Sequence, residues 1–201
     1  MLYIVGGGGH GSDVADLALR CGITPAGIAD DRSVDPRRFA TRGIPVSGPI
    51  PDLPRDVTFT FGIGNPDVRQ KLAPRVPCGP AEPLVDPTAV VSQTAVLGAG
   101  TQVFWHASVG PLCRLGEHVL VGYGASIGHD SVLGDTVCVL PGAHIAGDVT
   151  IETETLIGVG AVIAQGVRIG EGARIGDGAV VTRPVAAGEE VPSPSRRRQL
   201  L

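Results

Sequence analysis

The hydrophobic positions of this chain follow two different rhythms. From Val85 onward every sixth residue is aliphatic: Val85, Val91, Leu97, Val103, Val109, Leu115, Val121, Ile127, Leu133, Val139, Ile145, Ile151, Ile157, Ile163, Ile169, Ile175 and Val181. Four residues after each stands a small or β-branched side chain, as at Ala107, Ala125, Ala143, Ala161 and Ala179. Such a repeat predicts a solenoid. Each hexad supplies one short strand and one turn, and three hexads close one triangular coil, so that the series from Val85 to Val181 makes between five and six coils. Both inward positions stack on their counterparts in neighbouring coils and bury a core that no single repeat could make. A glycine follows many of the aliphatic positions, including Gly98, Gly110, Gly128 and Gly158. It is expected there because the turn needs unusual backbone dihedrals.

The segment 1–80 has another pattern. Leu2–Val5 predicts a strand, Gly6–Gly11 a glycine loop, and Ser12 a cap for a helix running to about Arg20, with Val14, Leu17, Ala18 and Cys21 as its buried stripe. Asp13 and Asp16 would lie near the positive helix N-terminus. A second strand is expected around Ile23–Ala29, ending in Asp30-Asp31, and a third at Val57–Ile63, followed by Gly64-Asn65-Pro66 and a helix from about Asp67 to Leu72. This is a small α/β, Rossmann-like unit with parallel strands. Pro74–Pro83 reads as the linker, which divides the chain into the Rossmann-like domain (1–80), a β-helix (81–191) and a tail (192–201).

Composition narrows the field. Thirty glycines and 17 prolines punctuate segments rich in small aliphatics, while aromatic residues reach only 3%. That mixture excludes disorder, which needs low hydrophobicity and high charge. A net charge of −4 gives no reason to expect nucleic acid, and no apolar run approaches a membrane span. The four cysteines are widely spaced, without a CxxC pair, which points to reduced thiols in a cytoplasmic protein rather than a zinc knuckle or disulfide framework.

Gly6-x-Gly8-x-x-Gly11 matches a dinucleotide fingerprint, with Asp30 downstream at about the expected distance for its acidic residue. Yet a segment as short as 1–80 cannot hold both halves of a full dinucleotide-binding domain. The same geometry serves a loop whose N–H groups cradle a phosphate or carboxylate, or a plain tight turn. On the solenoid, His129 lies two residues after the inward Ile127, near a turn. Histidine suits general-base work near neutral pH, and Asp130 is placed to fix its tautomer. Gly147 lies one coil (three hexads) above His129, at roughly the 4.8 Å strand spacing. Its backbone N–H is a candidate oxyanion donor. His106, His118 and His144 occupy outward positions and read as surface or inter-subunit packing.

Two segments together resemble a known family. Gly7-Gly8-Gly9-His10-Gly11 after a first strand, Asp30-Asp31 after a second, and Gly62-Ile63-Gly64-Asn65 with Arg69 after a third form the first segment. Ala125-Ser126-Ile127-Gly128-His129-Asp130-Ser131-Val132-Leu133-Gly134-Asp135 forms the second. The arrangement resembles the sialic-acid O-acetyltransferases and their relatives that N-acetylate UDP-linked 4-amino sugars. The resemblance implies that the β-helix is left-handed and that His129 is the general base supported by Asp130. It implies that Gly8, Gly9, His10, Asp30, Asp31, Gly64 and Asn65 hold the acceptor. It also carries acetyl-CoA contacts onto Cys138, Gly147, Val159 and Asp177, with the CoA groove between protomers of a homotrimer. This chain departs from the family at Gly128, where an acidic residue is common, at Gly122-Tyr123, where an Asn-Thr pair is common, and at Pro192-Ser193-Pro194-Ser195-Arg196, near its close. Arg196–Arg198 would be placed to meet CoA phosphates.

The expected activity is acetyl-CoA-dependent transfer to an amino or hydroxyl group of a sugar or nucleotide sugar, without a metal. The alternatives are the same chemistry on a non-sugar acceptor such as an amino acid or secondary-metabolite intermediate, and a non-catalytic sugar-binding module. A zinc site of the γ-carbonic-anhydrase kind needs convergent histidines, and the wide, uneven spacings between His106, His118, His129 and His144 do not supply the expected pair. A nucleotidyltransferase domain would not fit in the segment 1–80.

Overall fold

The computed structural model describes residues 1–194. In the N-terminal domain, strand β1 (Leu2–Val5) leads through the glycine loop into helix α1 (Gly9–Arg20). There follow β2 (Gly27–Ala29), the short α2 (Arg37–Ala40), β3 (Val46–Gly48), β4 (Thr58–Phe61), α3 (Pro66–Leu72) and β5 (Gly79–Pro80). The five strands form one parallel sheet in the order β3-β2-β1-β4-β5. Three expectations change. Helix α1 begins at Gly9, after the extended Gly8, because Gly9 to Gly11 enter the helix rather than stay in the loop; Ser12 lies inside it. The second strand shortens to its last three residues. The proline-rich stretch is not a bare linker, since Gly79-Pro80 completes the sheet beside β4.

The remainder is a left-handed parallel β-helix of two-residue strands, from Leu84–Val85 to Glu190–Val191. Its three faces hold seven, six and five strands. Neighbours on a face pair across an offset of three hexads, as in Ser108↔Ser126 and Ser126↔His144, except that the closing strand pairs two residues short of this, Arg174↔Glu190. In each strand the second residue points inward, and the whole aliphatic series from Val85 to Val181 packs in one core together with the small residues. The first residue of each strand points outward. It defines face one (Leu84, Gln102, Leu120, Cys138, Leu156, Arg174, Glu190), face two (Val90, Ser108, Ser126, His144, Val162, Val180) and face three (Val96, Arg114, Val132, Thr150, Arg168).

The glycine after the aliphatic position does not supply a left-handed turn. That conformation falls two residues later, without interruption from Gly100 to Gly178 in steps of six, and seven of the sites carry side chains: His106, Leu112, His118, Asp130, Thr136, Asp148 and Glu154. The earlier glycine is there for close approach. A Cβ on Gly128 would lie 2.6 Å from the Gly147 nitrogen of the next coil. Two different physical demands therefore sit two residues apart in every hexad.

The N-terminal domain docks on face one. Leu84, Leu120 and Cys138 share a buried cluster with Leu2, Ile4, Val14 and Leu17. Gln102 donates through Nε2 to Thr60 Oγ1 and to the Phe61 carbonyl, both at 2.7 Å. Arg20 pairs with the buried Asp86, and Arg174 with Asp67. Arg69, 1% exposed, donates to the carbonyls of Ile63 (3.3 Å) and Thr136 (2.6 Å) and to the Cys138 sulfur (2.9 Å).

Stability should follow this division. Ile157→Ala, in the stacked core, is expected to cost about 2–5 kcal/mol, read from the urea midpoint. The exposed Leu112 instead holds a left-handed conformation at φ 61°. Leu112→Asn should leave stability unchanged or raise it by up to ~1 kcal/mol, because asparagine tolerates that region.

Candidate active site

His129 projects from the turn between face two and face three, after the strand Ser126–Ile127. That edge is the one opposite face one, so it lies away from the chain's own N-terminal domain. The turn is held from both sides: the Asp130 N–H donates to the Pro111 carbonyl (3.0 Å) and the Asp148 N–H to the His129 carbonyl (2.8 Å). Asp130 sits at φ 59°, in the left-handed column. Its Oδ2 lies 2.8 Å from His129 Nδ1, with both side chains about half exposed. An Nδ1–H donated to this carboxylate leaves Nε2 as the free acceptor of a proton. Above it, a Cβ on Gly147 would lie 2.6 Å from Nε2. Glycine at that position is what leaves room for the imidazole and for anything approaching it.

The glycine loop forms a second centre. A cavity of about 530 Å³ is lined by Gly8, Gly9, His10, Asp30, Asp31 and Asn65, among others. Gly11 is held to glycine by the nearby Gly6 carbonyl, whereas a Cβ on Gly8 or Gly9 would meet no atom within 4 Å. Those two positions are open backbone at the start of a 12-residue helix, the arrangement that receives an anion. Asp30 accepts from the Gly7 and Arg32 N–H groups, both at 2.9 Å. Burial pushes its carboxyl up, but these bonds and Arg32 outweigh that and hold it below the usual range. Asp31 accepts from the Ile50 N–H (3.0 Å), and Asn65 caps α3 by accepting from Asp67 and Val68. All three thus shape the cavity wall as well as face it.

His10 and Gly64 also line a smaller cavity of about 250 Å³ against the solenoid, with Asp13, Phe104, Tyr123 and Pro141. The His10 ring packs 5.7 Å from Phe104, and its Nε2 has no hydrogen-bond partner among the described residues. Burial, then the Arg69 charge, lowers its pKa to about 4. His10 is therefore neutral at pH 7, at the junction of the two cavities. His118 behaves likewise: buried between Phe59 and Phe61, it is lowered to about 4 by burial and then by Arg69. His144 bonds Ser126 Oγ at 2.8 Å on face two, and His106 holds a left-handed turn. These histidines do not converge, and among the described residues no cluster of His, Cys, Asp or Glu could hold a metal ion.

Residues 1–76 match the PglD N-terminal domain family, and residues 148–183 match the bacterial transferase hexapeptide family (six repeats). Over 109 residues the chain is 35% identical to UDP-N-acetylbacillosamine N-acetyltransferase of Bacillus subtilis (strain 168), a match covering 50% of this chain and 49% of that protein. The chain spans about half the length, or less, of the curated relatives it matches. Among solved structures, PerB from Caulobacter crescentus, in complex with CoA and GDP-perosamine, is 30% identical with a TM-score of 0.87, covering 96% of this chain and 93% of that one. The acetyltransferase domain of PglB from Neisseria gonorrhoeae FA1090 is 31% identical with a TM-score of 0.85, covering 96% of each chain. The chain belongs to the sialic-acid O-acetyltransferase and UDP-4-amino-sugar N-acetyltransferase family of hexapeptide-repeat acyltransferases.

The positions that this acyltransferase family suggested for acetyl-CoA fall in three places. Gly147 lies on the His129 edge. Val159 and Asp177 lie on the edge between faces one and two, in the same vertical column as Trp105, Tyr123 and Pro141. There the Val159 N–H donates to Asp177 Oδ1 (2.9 Å), while the Val159 side chain stays exposed. Cys138 is the departure. Its side chain is fully buried on face one, receiving Arg69 and donating to the Gly64 carbonyl (2.9 Å), so it holds the two domains together and is closed to a ligand. Arg69 itself, read only as part of the family motif, is the central buried contact, a role that no periodic pattern signals. Pro192–Pro194 are described, whereas Ser195 and Arg196–Arg198 lie outside the described residues. Among the described residues no helix is long and apolar enough to cross a membrane.

The two buried histidines set an acid limit. Their folded pKa values lie below the ordinary 6.5, so the unfolded chain binds more protons as pH falls toward about 4. The melting temperature is therefore expected to fall as pH drops from about 6.5 to 4. His118→Gln should flatten that decline in thermal melts.

Proposed function

We propose that this protein transfers an acetyl group from acetyl-CoA to an amino or hydroxyl group of a sugar carried on a nucleotide. The observation that carries the reading is the His129 arrangement: Nδ1 at 2.8 Å from Asp130, with Nε2 beside the open Gly147 on an accessible edge. The acceptor's diphosphate fits the Gly8-Gly9 loop and the α1 N-terminus, and its sugar fits the smaller cavity beyond His10. His129 Nε2 takes the proton as the acceptor nitrogen or oxygen attacks the thioester carbonyl carbon. The Gly147 N–H stabilises the oxyanion. When the intermediate collapses, the C–S bond breaks, the new C–N or C–O bond remains, and the proton passes to the departing CoA sulfur.

The base and the acceptor cavity lie on different edges of one prism, so a neighbouring copy must complete the site. Face two joins these two edges, and its outward residues Val90, Ser108, Ser126, His144, Val162 and Val180 include no Arg, Lys, Asp or Glu. Face three carries Arg114 and Arg168. Packing through face two in a closed homotrimer sets the His129–Gly147 edge of one protomer against the edge of the next that carries Val159 and Asp177, with CoA between Gly147 and those two residues. The four unpaired cysteines fit a reducing cytoplasm.

His129→Ala should lower turnover by about 10²–10⁴-fold while acetyl-CoA binding, followed by calorimetry, persists near one site per protomer. Asp130→Asn should lower kcat with less effect on KM for acetyl-CoA. Retained thiol release in the His129 variant would remove the base assignment. A stable, active monomer in sedimentation would remove the shared-site arrangement.

A further inference from the structure

The solenoid core needs no aromatic side chain, and the chain has only four Phe, two Tyr and one Trp. Three of them nevertheless meet at the edge between faces one and two. Phe104 packs edge-on against Trp105 (centroids 5.5 Å), and Trp105 stacks on Tyr123 with ring planes 2° apart at 5.3 Å. The series continues inward, since His10 lies against Phe104. Trp105 and Tyr123 are one coil apart, at a turn position where other coils place Pro87, Pro141, Val159 and Asp177. Nothing in the coil requires a ring there. Tyr123 is 45% exposed and forms one wall of the 250 Å³ cavity that His10 and Asp13 also line.

We infer that Tyr123, held flat by Trp105, is the specificity-determining contact for the acceptor's sugar ring. The inference rests on the transferase reading above and deepens it. A rigid aromatic face offers area at low conformational cost to the C–H face of a pyranose. The few polar groups of the same small cavity, Asp13 and His10, set the sugar's orientation. The nucleotide portion occupies the larger cavity, beyond His10, and does not touch Tyr123. Discrimination between a nucleotide sugar and the bare nucleoside diphosphate therefore resides at this edge, not in the glycine loop.

Trp105 is the only tryptophan and reports on its stacked neighbour directly. The test titrates the full-length protein with GDP-perosamine, a UDP-linked 4-amino sugar, GDP and UDP, following tryptophan emission, and measures thiol release in parallel. A nucleotide sugar is expected to change the emission saturably, and its bare diphosphate to bind without that change. Tyr123→Ala should raise the acceptor KM up to about tenfold, leave KM for acetyl-CoA unchanged, and bring the affinities for nucleotide sugar and bare diphosphate together. Tyr123→Phe should retain discrimination. If Tyr123→Ala keeps full discrimination while wild type turns over, this inference is overturned and the transferase reading stands. Dissociation of the Tyr123→Ala oligomer in sedimentation would assign the ring to subunit packing and also overturn it. Failure of the wild-type protein to bind acetyl-CoA or release thiol would overturn both.

Discussion

Everything in this molecule hangs on the register between coils. Parallel strands pair across three hexads from Leu84 to Val181, and the inward aliphatic of each strand lands on the one below. Because the core is made of repeated vertical stacks, a residue's function follows from its place in the repeat. The first strand position chooses a face, and the turn position chooses an edge. Face one receives the N-terminal domain, one edge carries His129 and Gly147, and another carries Trp105, Tyr123, Pro141, Val159 and Asp177. The solenoid's share of the proposed site is assembled from columns rather than from loops.

The same register explains why the domains form one body. Outward residues of face one are mostly apolar or hydrogen-bonding, and the buried Arg69 reaches across to backbone carbonyls and a thiol instead of a carboxylate. A cation buried without a carboxylate would be costly if all its donors were idle; here carbonyls and sulfur receive the two terminal nitrogens, and Nε alone has no partner among the described residues. Its field is felt by His10 and His118, both kept neutral. The contact that fixes the domain geometry thus adds to the burial that keeps His10 neutral where the two cavities meet.

The solenoid is legible in the sequence because its signal is repeated in every coil. Where a feature occurs once, local pattern is a weaker guide. Propensity places the start of α1 at Ser12 rather than Gly9 because glycine disfavours helix, a preference that packing of the Gly6–Gly11 turn against the sheet overrides. Gly79-Pro80 looks like linker because proline is rare in strands, yet an edge strand tolerates it. The glycines after the aliphatic positions stand out in the sequence, but not for the reason first expected of them. Sequence marks where glycine is but not whether it avoids a clash or permits a dihedral, and here Asp, Thr, His and Leu tolerate the dihedral. His129, Asp130 and Gly147 can be placed by counting. Cys138 cannot, because counting to a face does not reveal what lies on top of it.

The edge columns also make the β-helix a ruler with a fixed modulus. Duplication or loss of one whole coil would lengthen or shorten the prism and leave every column in line. A change of a single hexad would rotate all that follows by one face, carrying later columns such as Val159 and Asp177 off their edge while the core pattern stayed perfect. A sequence could therefore keep an unbroken hexad repeat, fold, and still have its edge columns out of phase. In this architecture the length of an insertion, not its chemistry, decides whether the columns stay in line.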